Sequence, residues 1–105
     1  MKQITVKDLK DKLDQKDDFL LLDVREAFER DICKLEPDTH IPMNEIQSRY
    51  GDLPTDKPIV VYCRSGQRSM NVCNYLETQG FEDVTNLQGG ILAWADEIDP
   101  TLEKY

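Results

Sequence analysis

Residues 58–70 read PIVVYCRSGQRSM, and this stretch decides the fold. "PIVVYC" is a continuous apolar run without polar alternation, the pattern of a strand covered on both faces. From about Gln67 to Gln79 the pattern becomes helical. Val72, Tyr75 and Leu76, with Met70 and Cys73, make its apolar side, and Gly80 suits the C-terminal cap. A buried strand therefore passes into a helix through Cys63, Arg64, Ser65, Gly66, Gln67 and Arg68. A plain strand-to-helix turn has no need for a cysteine, two arginines and a glycine, so the same stretch raises the question of function.

The neighbouring segments agree with that reading. Upstream, "DFLLLDV" is a second buried-strand candidate ending at Asp23. "TVKDLKDKL" opens with Thr5 and Asp8 at capping-box spacing, and Val6, Leu9 and Leu13 line one helical face. "EAFERDI" predicts a short helix with Phe28 and Ile32 four apart, and "THIP" a brief strand halted by Pro42. Met43, Ile46 and Tyr50 recur at helical spacing before the turn-rich "GDLPTDKP". Downstream come a strand in "DVTNL", a tight turn in "QGG" and a short helix in "ILAWADEI" with Trp94. Strands alternating with helices predict an α/β fold with a mainly parallel central sheet flanked by helices. Sites in such sheets gather beyond the carboxyl ends of the strands, where Asp23 and Cys63 both fall.

A chain of 105 residues suits one domain with a core that needs no disulfide or structural metal. Its net charge of −8 argues against nucleic acid and anionic membranes as partners. The three cysteines, Cys33, Cys63 and Cys73, are odd in number and irregularly spaced, a poor disulfide framework. No CxxC pair occurs and the single histidine, His40, lacks a partner at metal-site spacing, so no zinc site is expected. "MKQITVKDLKDKL" has no apolar signal core, and no run approaches membrane-spanning length. The expected location is the reducing cytoplasm, where a thiol stays free.

The loop has a chemistry of its own. If a helix begins at Gln67 or Arg68, the backbone N–H groups of residues 64–68 curl around the Cys63 sulfur, with Gly66 supplying the positive φ. Amide donors, the positive end of the helix and nearby arginines all favour an anion. A thiolate is such an anion, as are an oxyanion and the terminal sulfur of a persulfide. A strand-terminal cysteine by itself reads as a small buried hydrophobe. The Arg-Ser-Gly-Gln-Arg that follows makes Cys63 the candidate nucleophile. Arg68 either fixes the loop through a bidentate ion pair with Asp23 or binds substrate. Arg64 is the candidate for an exposed, substrate-facing cation. Ser65 either donates a hydrogen bond to the sulfur or fills a turn position. Cys73 and Cys33 read as structural, and His40 as satisfying a local hydrogen bond.

The segments "LLDVREAFE", "HIPMNEI" and "IVVYCRSGQRSMNVCNYLETQGFEDVTNLQGGILAW" resemble, in order, the successive segments of single-domain rhodaneses. The resemblance runs from about Ile4 to Trp94 and is most specific in Asp-Val-Arg, the cysteine loop and the Gly-Gly-x-x-x-Trp ending. It implies the rhodanese-like three-layer α/β fold and a catalytic Cys63 that cycles between thiolate and persulfide. It also implies that Arg64, Ser65, Gly66, Gln67 and Arg68 form the substrate-binding cradle, with Asp23 and Arg25 as its supporting segment. The chain departs from the family pattern at "DICKLEPDTHIP", where Cys33 takes the place of a histidine and no glycines follow. The family's loop shape therefore does not carry over there.

Three function classes follow. Sulfur transfer from thiosulfate or a persulfide donor to cyanide, a thiol or a sulfur-carrier protein leads, and it calls for neither metal nor organic cofactor. A non-catalytic binding or regulatory module is the second. A cysteine-dependent phosphatase or arsenate reductase is the third, and loop length disfavours it. Phosphatases of related design use Cys-x5-Arg, whereas Cys63 to Arg68 is Cys-x4-Arg, a smaller ring of amides that suits one sulfur atom better than a phosphoryl group.

Overall fold

The structure, a computed structural model, describes residues 2–105. Strand β1 (Lys2–Ile4) leads into helix α1 (Val6–Asp14), β2 (Leu20–Asp23), α2 (Ala27–Ile32) and β3 (Thr39–His40). Met43–Glu45 and Tyr50–Asp52 are 3-10 turns on either side of α3 (Ile46–Arg49). The chain continues through β4 (Ile59–Tyr62), α4 (Gln67–Thr78), β5 (Val84–Leu87) and α5 (Gly90–Glu97). The strands form one parallel sheet in the order β1-β5-β4-β2-β3.

The sheet's apolar runs explain its place in the middle layer. Every residue of β4 and of β5 is buried, because side chains leave both faces and helices cover both. On one face Leu22, Ile59, Val61 and Val84 pack with Val72, Cys73 and Leu76 of α4 and with Ile46. On the other Leu21, Val60, Tyr62 and Leu87 pack with Val6 and Leu9 of α1 and with Ile91 and Trp94 of α5. The predicted Thr5–Asp8 capping box starts α1, each side chain accepting from the other residue's main-chain N–H.

Two local readings differ from the sequence expectation. Lys2–Ile4 forms an edge strand pairing with β5, in a segment too polar and too short to announce itself. In α2, Phe28 points outward and is 63% exposed, while Glu29 is buried. The helix docks through a charge rather than an apolar stripe.

Candidate active site

Strands β2 and β4 run parallel in a register that sets Asp23 beside Tyr62, so Asp23 and Cys63 emerge at the same, carboxyl end of the strands. After Cys63 the chain turns through Gly66, whose φ of +106° only glycine adopts cheaply, and α4 begins at Gln67. The turn folds the start of α4 back over the sulfur. Cys63 Sγ accepts from the N–H of Gly66 at 3.1 Å and of Ser69 at 3.4 Å, with the Ser69 hydroxyl 3.3 Å away. Cys63 is only 1% exposed, so its sulfur forms the floor of the loop.

The back of the loop is held by α5. The N–H of Ile91 donates to the carbonyl of Cys63 at 3.0 Å, and that of Leu92 to the carbonyl of Arg64 at 3.1 Å. In a trans peptide the N–H points opposite to the carbonyl of the same unit, so the amides of Arg64 and Ser65 face away from α5. Among the described residues the amides of Arg64, Ser65, Gln67 and Arg68 make no hydrogen bond within the chain. These are donors with no internal acceptor, beside the positive end of a twelve-residue helix. The close approach of α5 needs Gly90, where an added Cβ would lie 2.5 Å from Arg64 O and 2.6 Å from Cys63 O. That contact gives the second glycine of "QGGILAW" its physical reason.

Beside this cradle lies a network of charges. Arg25 and Asp23, both fully buried, form a two-pronged pair at 3.0 Å, and the Arg25 N–H also donates to Asp23 Oδ1. Arg30, a second guanidinium on Asp23, adds one bond to it and two to Asp38. Arg25 donates further to the carbonyl of Cys33 and to the Tyr105 hydroxyl, which in turn donates to Glu29 at 2.7 Å. Glu29 grips Arg68 with both oxygens, at 2.7 and 2.8 Å. This last pair holds the Glu29 carboxyl at about 2, well below the usual carboxylate range, against the opposing effect of burial. Burial works against the Arg25 charge, but its bonds to Asp23 and Tyr105 outweigh that and hold the guanidinium above its ordinary range. Burial pushes the Cys73 thiol up to about 12, in keeping with a core role.

The expected pairing of Arg68 with Asp23 is therefore corrected: its bidentate partner is Glu29. Asp23 is already satisfied by Arg25, two residues along, and by Arg30. The hydroxyl at the sulfur belongs to Ser69, the third residue of α4, and not to the exposed Ser65. Arg64 is exposed as expected, but it leans on Tyr105, donating to that main-chain oxygen with its guanidinium 5.2 Å from the ring centroid. His40 Nε2 lies 2.7 Å from the carbonyl of Arg25, the local bond expected of it. Glu29, Ser69, Asn86 and Tyr105 were not singled out from the sequence. Glu29 had no clear signal, because the apolar pair Phe28 and Ile32 pointed to another face of the helix as the buried one. Tyr105 had none either.

A model of the family described as "Rhodanese-like domain" matches residues 5–97. The chain belongs to the rhodanese-like family. This rhodanese-like domain is 42% identical over 100 residues to "Putative sulfurtransferase YtwF" of Bacillus subtilis (strain 168), covering 95% of this chain and 96% of that protein. It is 40% identical over 93 residues to a protein of Allochromatium vinosum named "Sulfurtransferase", covering 89% and 87%. Among solved structures, a rhodanese-like domain protein from Staphylococcus aureus superposes with a TM-score of 0.86 at 33% identity, covering 100% of this chain and 99% of that one. At the level of the family, the rhodanese-like domain is a sulfurtransferase of rhodanese type. No helix among its described residues is long and apolar enough to cross a membrane.

Proposed function

We propose that this domain moves sulfane sulfur through a persulfide on Cys63. The Cys63 thiolate attacks the outer sulfur of thiosulfate or of a persulfide donor. A Cys63 Sγ–S bond forms, the donor's S–S bond breaks, and sulfite or the donor thiolate leaves with the electron pair. The terminal sulfur then rests among the loop amides. A nucleophile such as cyanide or a thiol, free or on a sulfur-carrier protein, attacks that sulfur and releases the Cys63 thiolate. The amides of Arg64, Ser65, Gln67 and Arg68 serve the negative charge that builds on the transferred sulfur, since they are aligned before the reaction begins. Arg64, exposed at the loop, draws in the anionic donor, and Arg68 fixes the loop through Glu29. Asp23 and Arg25 support the arrangement from beneath.

The observation that carries this reading is the convergence of main-chain donors on Cys63 Sγ. The test is the intact mass after brief incubation with thiosulfate, with cyanide added afterwards. A gain of one sulfur atom that cyanide removes, present in the wild type and absent from Cys63→Ser, is the expected result. Equal transfer by Cys63→Ser would overturn the reading.

A further inference from the structure

The Ser69 hydroxyl has one proton and two neighbours that want it. Its oxygen lies 3.3 Å from Cys63 Sγ and 2.5 Å from Asn86 Oδ1. Asn86 is buried in β5, and its Nδ2 donates at 3.2 Å to Oε1 of Gln3. Gln3 stands opposite Asn86 in the β1–β5 register and is exposed. In this arrangement the Ser69 proton goes to Asn86, and a Ser69 lone pair faces the sulfur, ready to accept from a Cys63 S–H. The Cys63 S–H and the Ser69 O–H then each have an acceptor. When the S–H proton has left for solvent, the requirement reverses. The Ser69 hydroxyl turns to donate to the anionic sulfur, and Asn86 Oδ1 would face a lone pair. Rotating the Asn86 amide end for end restores the match, with Nδ2 donating to Ser69 Oγ and Oδ1 accepting from Nε2 of a rotated Gln3.

We infer that Asn86 is a positioning residue that, with Gln3, sets through the Ser69 hydroxyl whether the cradle favours the neutral or the anionic Cys63 sulfur. The inference rests on the reading of Cys63 as the sulfur carrier, because attack on the donor sulfur needs the thiolate and not the S–H form. Other groups facing Cys63 leave this role open. Arg68 on α4 has its charge matched by Glu29, and Cys73 on α4 is neutral because burial pushes its thiol up to about 12. From β2, Asp23 is balanced by Arg25 and Arg30, and α5 presents main-chain amides to the carbonyls of Cys63 and Arg64.

Replacing the buried Asn86 disturbs the sheet, so the test acts through exposed Gln3. A Glu at position 3 only accepts and holds Asn86 in the first orientation; a Lys only donates and holds it in the second. The rate of Cys63 alkylation by iodoacetamide, followed by peptide mass, is measured from pH 5 to pH 10 for wild type, Gln3→Glu and Gln3→Lys. Each is repeated with Ser69→Ala, and circular dichroism checks the fold. Gln3→Glu should displace the pH profile upward and slow alkylation at neutral pH roughly threefold, and Gln3→Lys should displace it downward by a similar factor. Both displacements should vanish without Ser69. Profiles that do not move, move in the same direction, or move equally without Ser69 would overturn the relay, the last because charge then acts through space. Loading with thiosulfate, read as cyanide-labile mass on the same wild-type sample, reports on the persulfide reading independently. Absent loading with the expected displacements would count against the sulfur-carrier reading and leave the relay standing.

Discussion

The cradle around Cys63 and the charge network beside it both bind charge, and they are built in opposite ways. The cradle uses peptide groups: two amides on the sulfur, further amides without internal acceptors, and two carbonyls tied to α5. The network uses side chains, each guanidinium matched to a carboxylate. A buried side-chain cation demands a counter-ion, and the counter-ion cancels its field. Peptide dipoles carry partial charge without one, so they remain available to an anion that comes and goes. The network makes the loop rigid, and the cradle leaves it receptive.

The sharpest challenge to this division is Asp23→Ala. Arg25 would remain buried having lost its principal partner, and denaturant unfolding should show a loss of about 3–5 kcal/mol. A loss under 1 kcal/mol would mean that Tyr105 and the main-chain carbonyls of Glu29 and Cys33 suffice without the pair. Gly90→Ala attacks the cradle instead. The new Cβ meets main-chain atoms of Cys63 and Arg64 at a φ of +60°, which should cost about 1–3 kcal/mol and slow thiosulfate loading. Loading at the wild-type rate would show that the hold of α5 on those carbonyls does not shape the site.

Glu29→Gln sharpens the comparison through pH. The carboxyl sits at about 2 in the folded chain, against roughly 4.3 for an unperturbed glutamate. Its stabilisation is therefore complete above the ordinary glutamate range and is lost as pH falls from there towards 2. Wild type should exceed Glu29→Gln by on the order of 2 kcal/mol at neutral pH, and the gap should close as pH falls to about 2. A gap independent of pH would assign the effect to packing. The smallest effect is expected from Tyr105→Phe, which removes the hydroxyl between Arg25 and Glu29 and should cost about 1 kcal/mol in thermal unfolding.

Much of this architecture was readable in the chain. The apolar runs ending at Asp23 and Cys63 marked two buried strands, because strands buried on both faces cannot alternate; that they are neighbours came from the structure. Gly66 between a strand and a helix marked the turn, because a positive φ there excludes most residues. The Asp-Val-Arg motif was visible, but its internal pairing was not: the sequence offered Asp23 to Arg68, and the structure gives it to Arg25. Ser69 was harder to see. It follows Cys63 by six residues, and only the return of α4 over the loop brings its hydroxyl and amide to the sulfur.

What the amino-acid sequence determined by itself was the alternation of strands and helices, the cysteine at a strand's end and the amide-rich turn after it. These follow from apolar periodicity and local backbone preference, which act over a few residues. Tertiary structure decided that Arg68 meets Glu29 across 39 positions, that Tyr105 bridges Arg25 and Glu29 from 80 and 76 positions away, and that Asn86 stands behind Ser69. Those pairings depend on how separately formed helices and strands seat against a common sheet, where any of several carboxylates or hydroxyls has the right chemistry and only one is in reach.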